Sequence, residues 1–234
     1  DYPVLAFDLA DRYFNPENHF TYNFTTDIWM DDSEELSLAY LLTENLILKG
    51  SRVDAIGLQI HFFNVELWDN TLAEEEMTPQ QLYRVLDLYG RFGLPLQVTE
   101  ITFPSRPFGE SGEANQARVT RDFYRLWFSH PNMEAITWWN IVDGTASGGE
   151  DRFRGGFLRE DMSPKPAYEV LNDLINGEWT TSISEELADA DRFKFNGFYG
   201  TYEVSLKTAG GLQVTRSVHL DKDRRNEYQM IIPQ

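Results

Sequence analysis

Four times along this chain a short β-forming run gives way to a segment with helical periodicity, and that alternation limits the fold more than any other feature. The β-like runs lie at 19–23, at 53–61, around Glu100 within 93–105, and at 135–142. The helical segments follow at 33–49, from Thr78 to Gly93, at 113–129 and at 166–174. Ser33 reads as an N-cap with acids in the first turn, and Gly50 closes that segment. Thr78-Pro-Gln-Gln81 reads as a cap, a proline at the first helical position and a capping-box glutamine. Leu82, Val85, Leu86 and Tyr89 then fall at i, i+3, i+4 and i+7, one apolar stripe. Such alternation predicts an α/β fold, a parallel sheet with helical crossovers.

Four βα units amount to half of an eight-fold barrel, and half a barrel leaves two open sheet edges. Residues 4–13 read as a helix with no strand in front of it. The expectation is therefore the C-terminal half of a (β/α)8 TIM barrel, about strands 5–8, with the preceding units outside these residues. Beyond Asn176-Gly-Glu-Trp179 the pattern changes to period two, at 193–195, 201–206, 212–220 and 228–232, with Asn-Gly, Gly-Gly and Lys-Asp turns between. Two domains are expected: a half barrel over 1–177 and a small β-sandwich-like accessory domain over 178–234.

Charge narrows the partners. Twenty basic against 38 acidic residues give −18, which argues against nucleic acid and anionic membranes. No run of 18 apolar residues exists to span a bilayer. The absence of cysteine removes disulfides and thiolate metal sites. His19, His130 and His219 have no ligand spacing, so no metal or cofactor is expected. Glu74, Glu75 and Glu76 read as a solvated loop run, and Asp31, Asp32, Glu34 and Glu35 as charge near a helix N-terminus.

Glu100 is the residue that asks for a purpose. It ends a short apolar strand, where an ionisable group is costly unless something uses it. In a βα-repeat protein the C-terminal ends of strands carry the chemistry. Asn23, Gln59, His61, Glu100, the Trp138–Trp139 pair and Asp143 all fall at such ends. Amides, a carboxylate and an indole wall suit a sugar, whose hydroxyls take planar polar partners and whose faces stack on rings. Alternation sends Trp138 toward the helix layer and Trp139 to the other face. A glutamate so placed can attack an anomeric carbon in a retaining glycosidase, given a second carboxyl about 5–5.5 Å away as acid/base.

The segments Asp54-Ala-Ile-Gly-Leu-Gln-Ile-His61, Leu94-Pro-Leu-Gln-Val-Thr-Glu-Ile101, Ile136-Thr-Trp-Trp139 and Pro164-Lys-Pro-Ala-Tyr168 occur in the order and spacing of glycoside hydrolase family ten, which this chain resembles over about 4–176. That family comprises endo-1,4-β-xylanases and close relatives. The resemblance implies that Glu100 is the nucleophile and His61 the histidine hydrogen-bonded to it. It implies that Asn23 and Gln59 hold sugar hydroxyls or the nucleophile, and that Trp139 floors the cleavage subsite. The chain also departs from the pattern. Phe24 stands in the fifth-strand motif, Thr102 where the family has Asp, Asn140 where it has Gly, and a loop tryptophan is replaced near Ser147. The segment with the acid/base glutamate occurs nowhere in these residues.

The expected function is a retaining, secreted or periplasmic hydrolase of internal β-1,4 linkages in xylan. This chain alone would be inactive, and its partner would be the N-terminal half of the barrel, as a separate chain or as a segment outside these residues. The alternatives are a non-catalytic carbohydrate-binding protein on a degenerate barrel and another retaining β-glycanase, a glucanase or mannanase.

Overall fold

A computed structural model of the chain describes residues 1–187, 192–222 and 224–231. The chain divides into two units, Asp1–Asn172 and Asp173–Gln234. The elements of the first are α1 (Tyr2–Tyr13), β1 (Thr21–Phe24), α2 (Leu38–Leu48), β2 (Ala55–His61), α3 (Val65–Leu72), α4 (Pro79–Gly90), β3 (Leu96–Thr102), α5 (Glu110–Ser129), β4 (Met133–Ile136) and α6 (Pro166–Asp173), the last ending at the unit boundary. The four strands lie side by side in chain order, every neighbouring pair parallel. Helical crossovers make that order possible, because a parallel neighbour cannot be reached by a tight turn.

The two faces of the sheet differ in chemistry. Ile56, Leu58, Ile60, Leu96, Val98 and Ile101 are fully buried on one face. Behind them lies an aromatic layer of Phe62, Trp68, Phe103, Phe123 and Trp127, mostly in edge-on or tilted contacts. Rings of this size bury about 150–250 Å² each, so this layer dominates the core's apolar burial. The opposite face is polar: Thr21 and Asn23 from β1, Gln59 and His61 from β2, Gln97, Thr99 and Glu100 from β3, joined by side-chain hydrogen bonds. Gly57 sits among them because there is no room for more. A Cβ there would lie 2.6 Å from Asn23 Oδ1 and 2.9 Å from both Thr21 Cγ2 and Thr99 Cγ2.

One irregularity aims the chemistry. Leu58 pairs with Val98, but Gln59 pairs with Glu100, so β3 carries one extra residue, Thr99. A strand alternates faces with period two, and an extra residue shifts its phase. Before the shift Gln97 and Thr99 face the polar side; after it Glu100 and Thr102 do, while Val98 and Ile101 stay in the core.

Local readings of the sequence hold in some elements and fail in others. The Thr78 capping box forms in full, with Pro79 opening α4. The second helix, however, is capped by Ser37 rather than Ser33, its hydroxyl accepting from Tyr40 N at 3.2 Å. Residues 34–36 form a short 3-10 turn instead, with Glu34 at φ +51°. The stretch between β2 and Thr78, where the sequence reading places no helix, contains α3, capped by Asn64 Oδ1 at 2.9 Å from Glu66 N. The fourth strand ends at Ile136 rather than running to Val142.

In the second unit, β5 (Gly200–Lys207) and β6 (Gln213–Leu220) form an antiparallel hairpin. The other period-two stretches, 193–195 and 228–231, carry no strand among the described residues, and 232 lies outside them. Three residues of alternation next to a turn do not secure a ladder without a partner to pair with. Among the described residues this unit is one two-stranded sheet, not a sandwich.

Candidate active site

Glu100 is held from three sides. Gln59 Nε2 donates to Oε1 at 2.9 Å and Asn23 Nδ2 donates to the same oxygen at 3.2 Å. His61 Nε2 meets Oε2 at 3.2 Å. Two neighbouring strands, β1 with one donor and β2 with two, thus converge at their carboxyl ends on a single carboxylate at the end of β3. The supporting layer is equally specific. Thr99 Oγ1 donates to Asn23 Oδ1 at 2.6 Å, which fixes the amide so that its nitrogen points at Glu100. Trp29 Nε1 donates to Gln59 O at 2.8 Å, and Thr26 Oγ1 accepts from His61 N at 2.8 Å.

His61 is bounded on every side. Its ring stacks on Phe63 at 4.8 Å with 9° between planes, and meets Trp139 edge-on at 6.0 Å. Its second nitrogen, Nδ1, lies 2.9 Å from Thr102 Oγ1. Burial holds its pKa below the ordinary 6.5, against the raising effects of Glu100 and, more weakly, Glu150.

Trp139 leaves 48% of its surface exposed, and its indole Nε1 donates to Glu150 Oε2 at 2.9 Å. An open ring face beside a fixed carboxylate can accept a pyranose. Trp138 points the other way, into the helix layer, where it donates to Gly155 O at 2.9 Å and packs on Phe157 and Phe103.

Of the residues singled out in the sequence, Asn23, Gln59, His61 and Glu100 come together in one hydrogen-bonded cluster, with Trp139 at its rim. Asp143 does not join them. It is buried and paired with Lys165, Nζ to Oδ2 2.6 Å, while its Oδ1 accepts from Gly156 N at 2.8 Å. Lys165 Nζ also donates to Arg154 O at 2.8 Å and Ser105 Oγ at 3.3 Å. Burial lowers the Lys165 pKa, and Asp143 opposes that. The pair pins the loop that carries Glu150. Sequence reasoning missed Lys165, Thr26, Thr99, Phe63 and Glu150. The partners of Lys165, Thr26, Thr99 and Glu150 are distant in the chain, so no local signal marks them beyond the two prolines flanking Lys165, while Phe63 lies two residues from His61 but a lone ring there reads equally as core.

A parallel α/β sheet whose strand ends grip a carboxylate with two amides and an imidazole, next to an open indole, defines a protein of glycoside-hydrolase type. The chain belongs to glycosyl hydrolase family 10, whose model matches residues 1–174. A protein of Arabidopsis thaliana named endo-1,4-beta-xylanase 5-like is 28% identical over 231 residues, covering 92% of this chain and 35% of the relative, a match reaching beyond the first unit. Anti-sigma-I factor RsgI6 of Acetivibrio thermocellus is 25% identical over 174 residues, covering 74% of this chain and 20% of that protein. Endo-1,4-beta-xylanase A of Caldicellulosiruptor saccharolyticus is 24% identical over 155 residues, covering 61% and 41%. Among solved structures, xylanase 10B from Thermotoga petrophila in complex with xylobiose shares the fold with a TM-score of 0.60 at 20% identity, over 76% of this chain and 52% of that one. The chain spans about half or less of the length of each of these proteins.

Proposed function

We propose that this chain supplies the nucleophile half of a retaining glycoside hydrolase that cleaves internal β-1,4 linkages of xylan outside the cell or in the periplasm. The observation that carries the reading is the grip on Glu100, whose two oxygens receive donors from Asn23, Gln59 and His61. Such a grip fixes the carboxylate's direction before a sugar arrives, which is what nucleophilic attack at an anomeric carbon needs. Glu100 forms a bond to that carbon as the glycosidic bond breaks. The leaving oxygen takes its proton from an acid/base glutamate, which then activates the water that releases the sugar.

In this reading the acid/base lies in further βα units outside residues 1–234, on the N-terminal half of the barrel. Two features support that placement. Among the described residues β1 and β4 stand at the edges of the sheet, each with one neighbour. Helix α1 buries no residue and exposes Tyr2, Leu5, Leu9 and Tyr13. Trp139 forms the floor on which a xylose ring stacks. Residues 178–234 are an accessory module, and this chain by itself is inactive.

A second reading, a carbohydrate-binding protein without catalysis, is favoured by Phe24, Thr102 and Ser147 standing where the family pattern differs. Co-expression with the N-terminal half, followed by xylan hydrolysis and labelling with a mechanism-based xylobiosyl epoxide, separates the two. Turnover with label on Glu100, both abolished in Glu100→Gln, is expected. Binding without label or turnover leaves the second reading, turnover by the isolated chain overturns the half-site assignment, and faster hydrolysis of β-glucan or mannan overturns xylan.

A further inference from the structure

Both ring nitrogens of His61 are engaged, and the chemistry of the two partners differs. Glu100 Oε2, as a carboxylate oxygen, only accepts, so Nε2 carries a hydrogen. Thr102 Oγ1, 2.9 Å from Nδ1, can accept or donate. Which it does follows from what else that hydroxyl can reach.

Thr102 is fully buried, and among the described residues His61 Nδ1 is the hydroxyl's one hydrogen-bond partner. If Nδ1 carried a proton and donated it, the hydroxyl hydrogen would be left buried with no acceptor, a cost of about 1–3 kcal/mol. If the hydroxyl donates to a bare Nδ1, every polar hydrogen is satisfied. The rotamer is fixed independently. The Thr102 methyl fills the space over Gly155, where a Cβ would come within 2.7 Å of it, and this turns the hydroxyl toward the imidazole.

We propose that Thr102 is a positioning residue that donates its hydroxyl hydrogen to His61 Nδ1 and so holds the ring as the neutral Nε2–H tautomer that grips Glu100. The catalytic meaning rests on the reading of Glu100 as the nucleophile; the tautomer itself does not. The charged groups acting on the ring are Glu100 from β3 and Glu150 from the loop after β4. Phe63, Trp139 and Thr102, which pack against it, carry no charge at neutral pH. A carboxylate at 102, as the family pattern has, can only accept, and would draw a proton onto Nδ1 and convert the ring to imidazolium. The consequence is a nucleophile braced by a neutral donor instead of a cation, which leaves the site one positive charge poorer.

Long-range 1H–15N correlation spectra of the full chain with 15N-labelled histidine test this directly. Wild type should show one bare and one protonated nitrogen for His61 at about pH 7. The apparent pKa of His61 should rise in the order wild type, Thr102→Val, Thr102→Asp. Valine removes the hydrogen bond to the neutral form, and aspartate adds a charge that raises the pKa by about 1–3 units. Unchanged signals of His19, His130 and His219 report that a variant is folded. Should the aspartate variant fail to fold, the valine variant carries the comparison alone. A protonated Nδ1 in wild type at that pH, or a valine variant titrating at or below wild type, overturns the assignment. Labelling of Glu100 in the reconstituted enzyme is a separate readout, so failure of the hydrolase reading shows there and failure of the tautomer shows in the spectra.

Discussion

Lys165→Met isolates the contribution of the buried ion pair behind the site. The two side chains are 1% and 4% exposed, and Nζ uses all three of its hydrogens, on Asp143, Arg154 O and Ser105 Oγ. Methionine fills nearly the same volume, so cavity formation is a minor cost. What remains is Asp143, ionised and buried, with Gly156 N as its hydrogen-bond donor. Removing one member of such a pair costs about 3–5 kcal/mol. At roughly 2–4 °C per kcal/mol for a domain of this size, the melting midpoint should fall by about 6–20 °C. Urea unfolding followed by tryptophan fluorescence reports on the right unit, because five of the six tryptophans lie within residues 1–172. Asp143→Asn in the same background removes the stranded charge and should return most of the loss, leaving a deficit below about 2 kcal/mol. A loss under about 1 kcal/mol in Lys165→Met would refute the reasoning, as would a double variant no better than the single one.

Gly57→Ala should destabilise the chain by about 1–3 kcal/mol and push Asn23 off Glu100, since its Cβ would sit 2.6 Å from Asn23 Oδ1; urea unfolding and the Asn23 side-chain amide resonances check both. The pH dependence has a definite sign. Burial holds the His61 pKa below its ordinary 6.5, so the unfolded chain binds the proton first as pH falls. The stability due to the neutral ring is complete above about pH 6.5 and is lost as pH drops through the lower folded value. Urea midpoints measured across that window should fall less steeply in His61→Gln than in wild type, and parallel curves would contradict the assignment.

How legible all this was in the sequence depends on how local each signal is. The Thr78 capping box and the opposite directions of Trp138 and Trp139 need only a few neighbouring residues, and both stand in the structure as read. Four parallel strands in chain order, bringing Asn23, Gln59, His61 and Glu100 together, followed from the alternation of elements and from the family resemblance. Ser33 against Ser37 is a choice between two serines that local capping chemistry ranks equally; packing decides it, as the Ser37 hydroxyl also meets Tyr89 Oη at 3.2 Å. The Asp143–Lys165 pair joins residues 22 apart across an irregular loop, which no periodicity describes. The expected strands at 193–195 and 228–232 rested on alternation alone, and alternation does not specify a partner.

Thr99 gives the site a dependence on counting. Because β3 changes phase at this residue, Thr99 and Glu100 both face the polar side, and the bulge between them and Gln59 sets the direction of Glu100. Smoothing the bulge with Thr99 kept would turn Glu100 into the aromatic layer, whereas excising Thr99 would leave Glu100 next after Val98, still on the polar face opposite Gln59 but without the hydroxyl that fixes Asn23. The insertion of a single residue is thus a heritable setting that composition does not record, and a strand whose apolar rhythm stumbles once beside a lone acid is a place to look for catalysis in other chains.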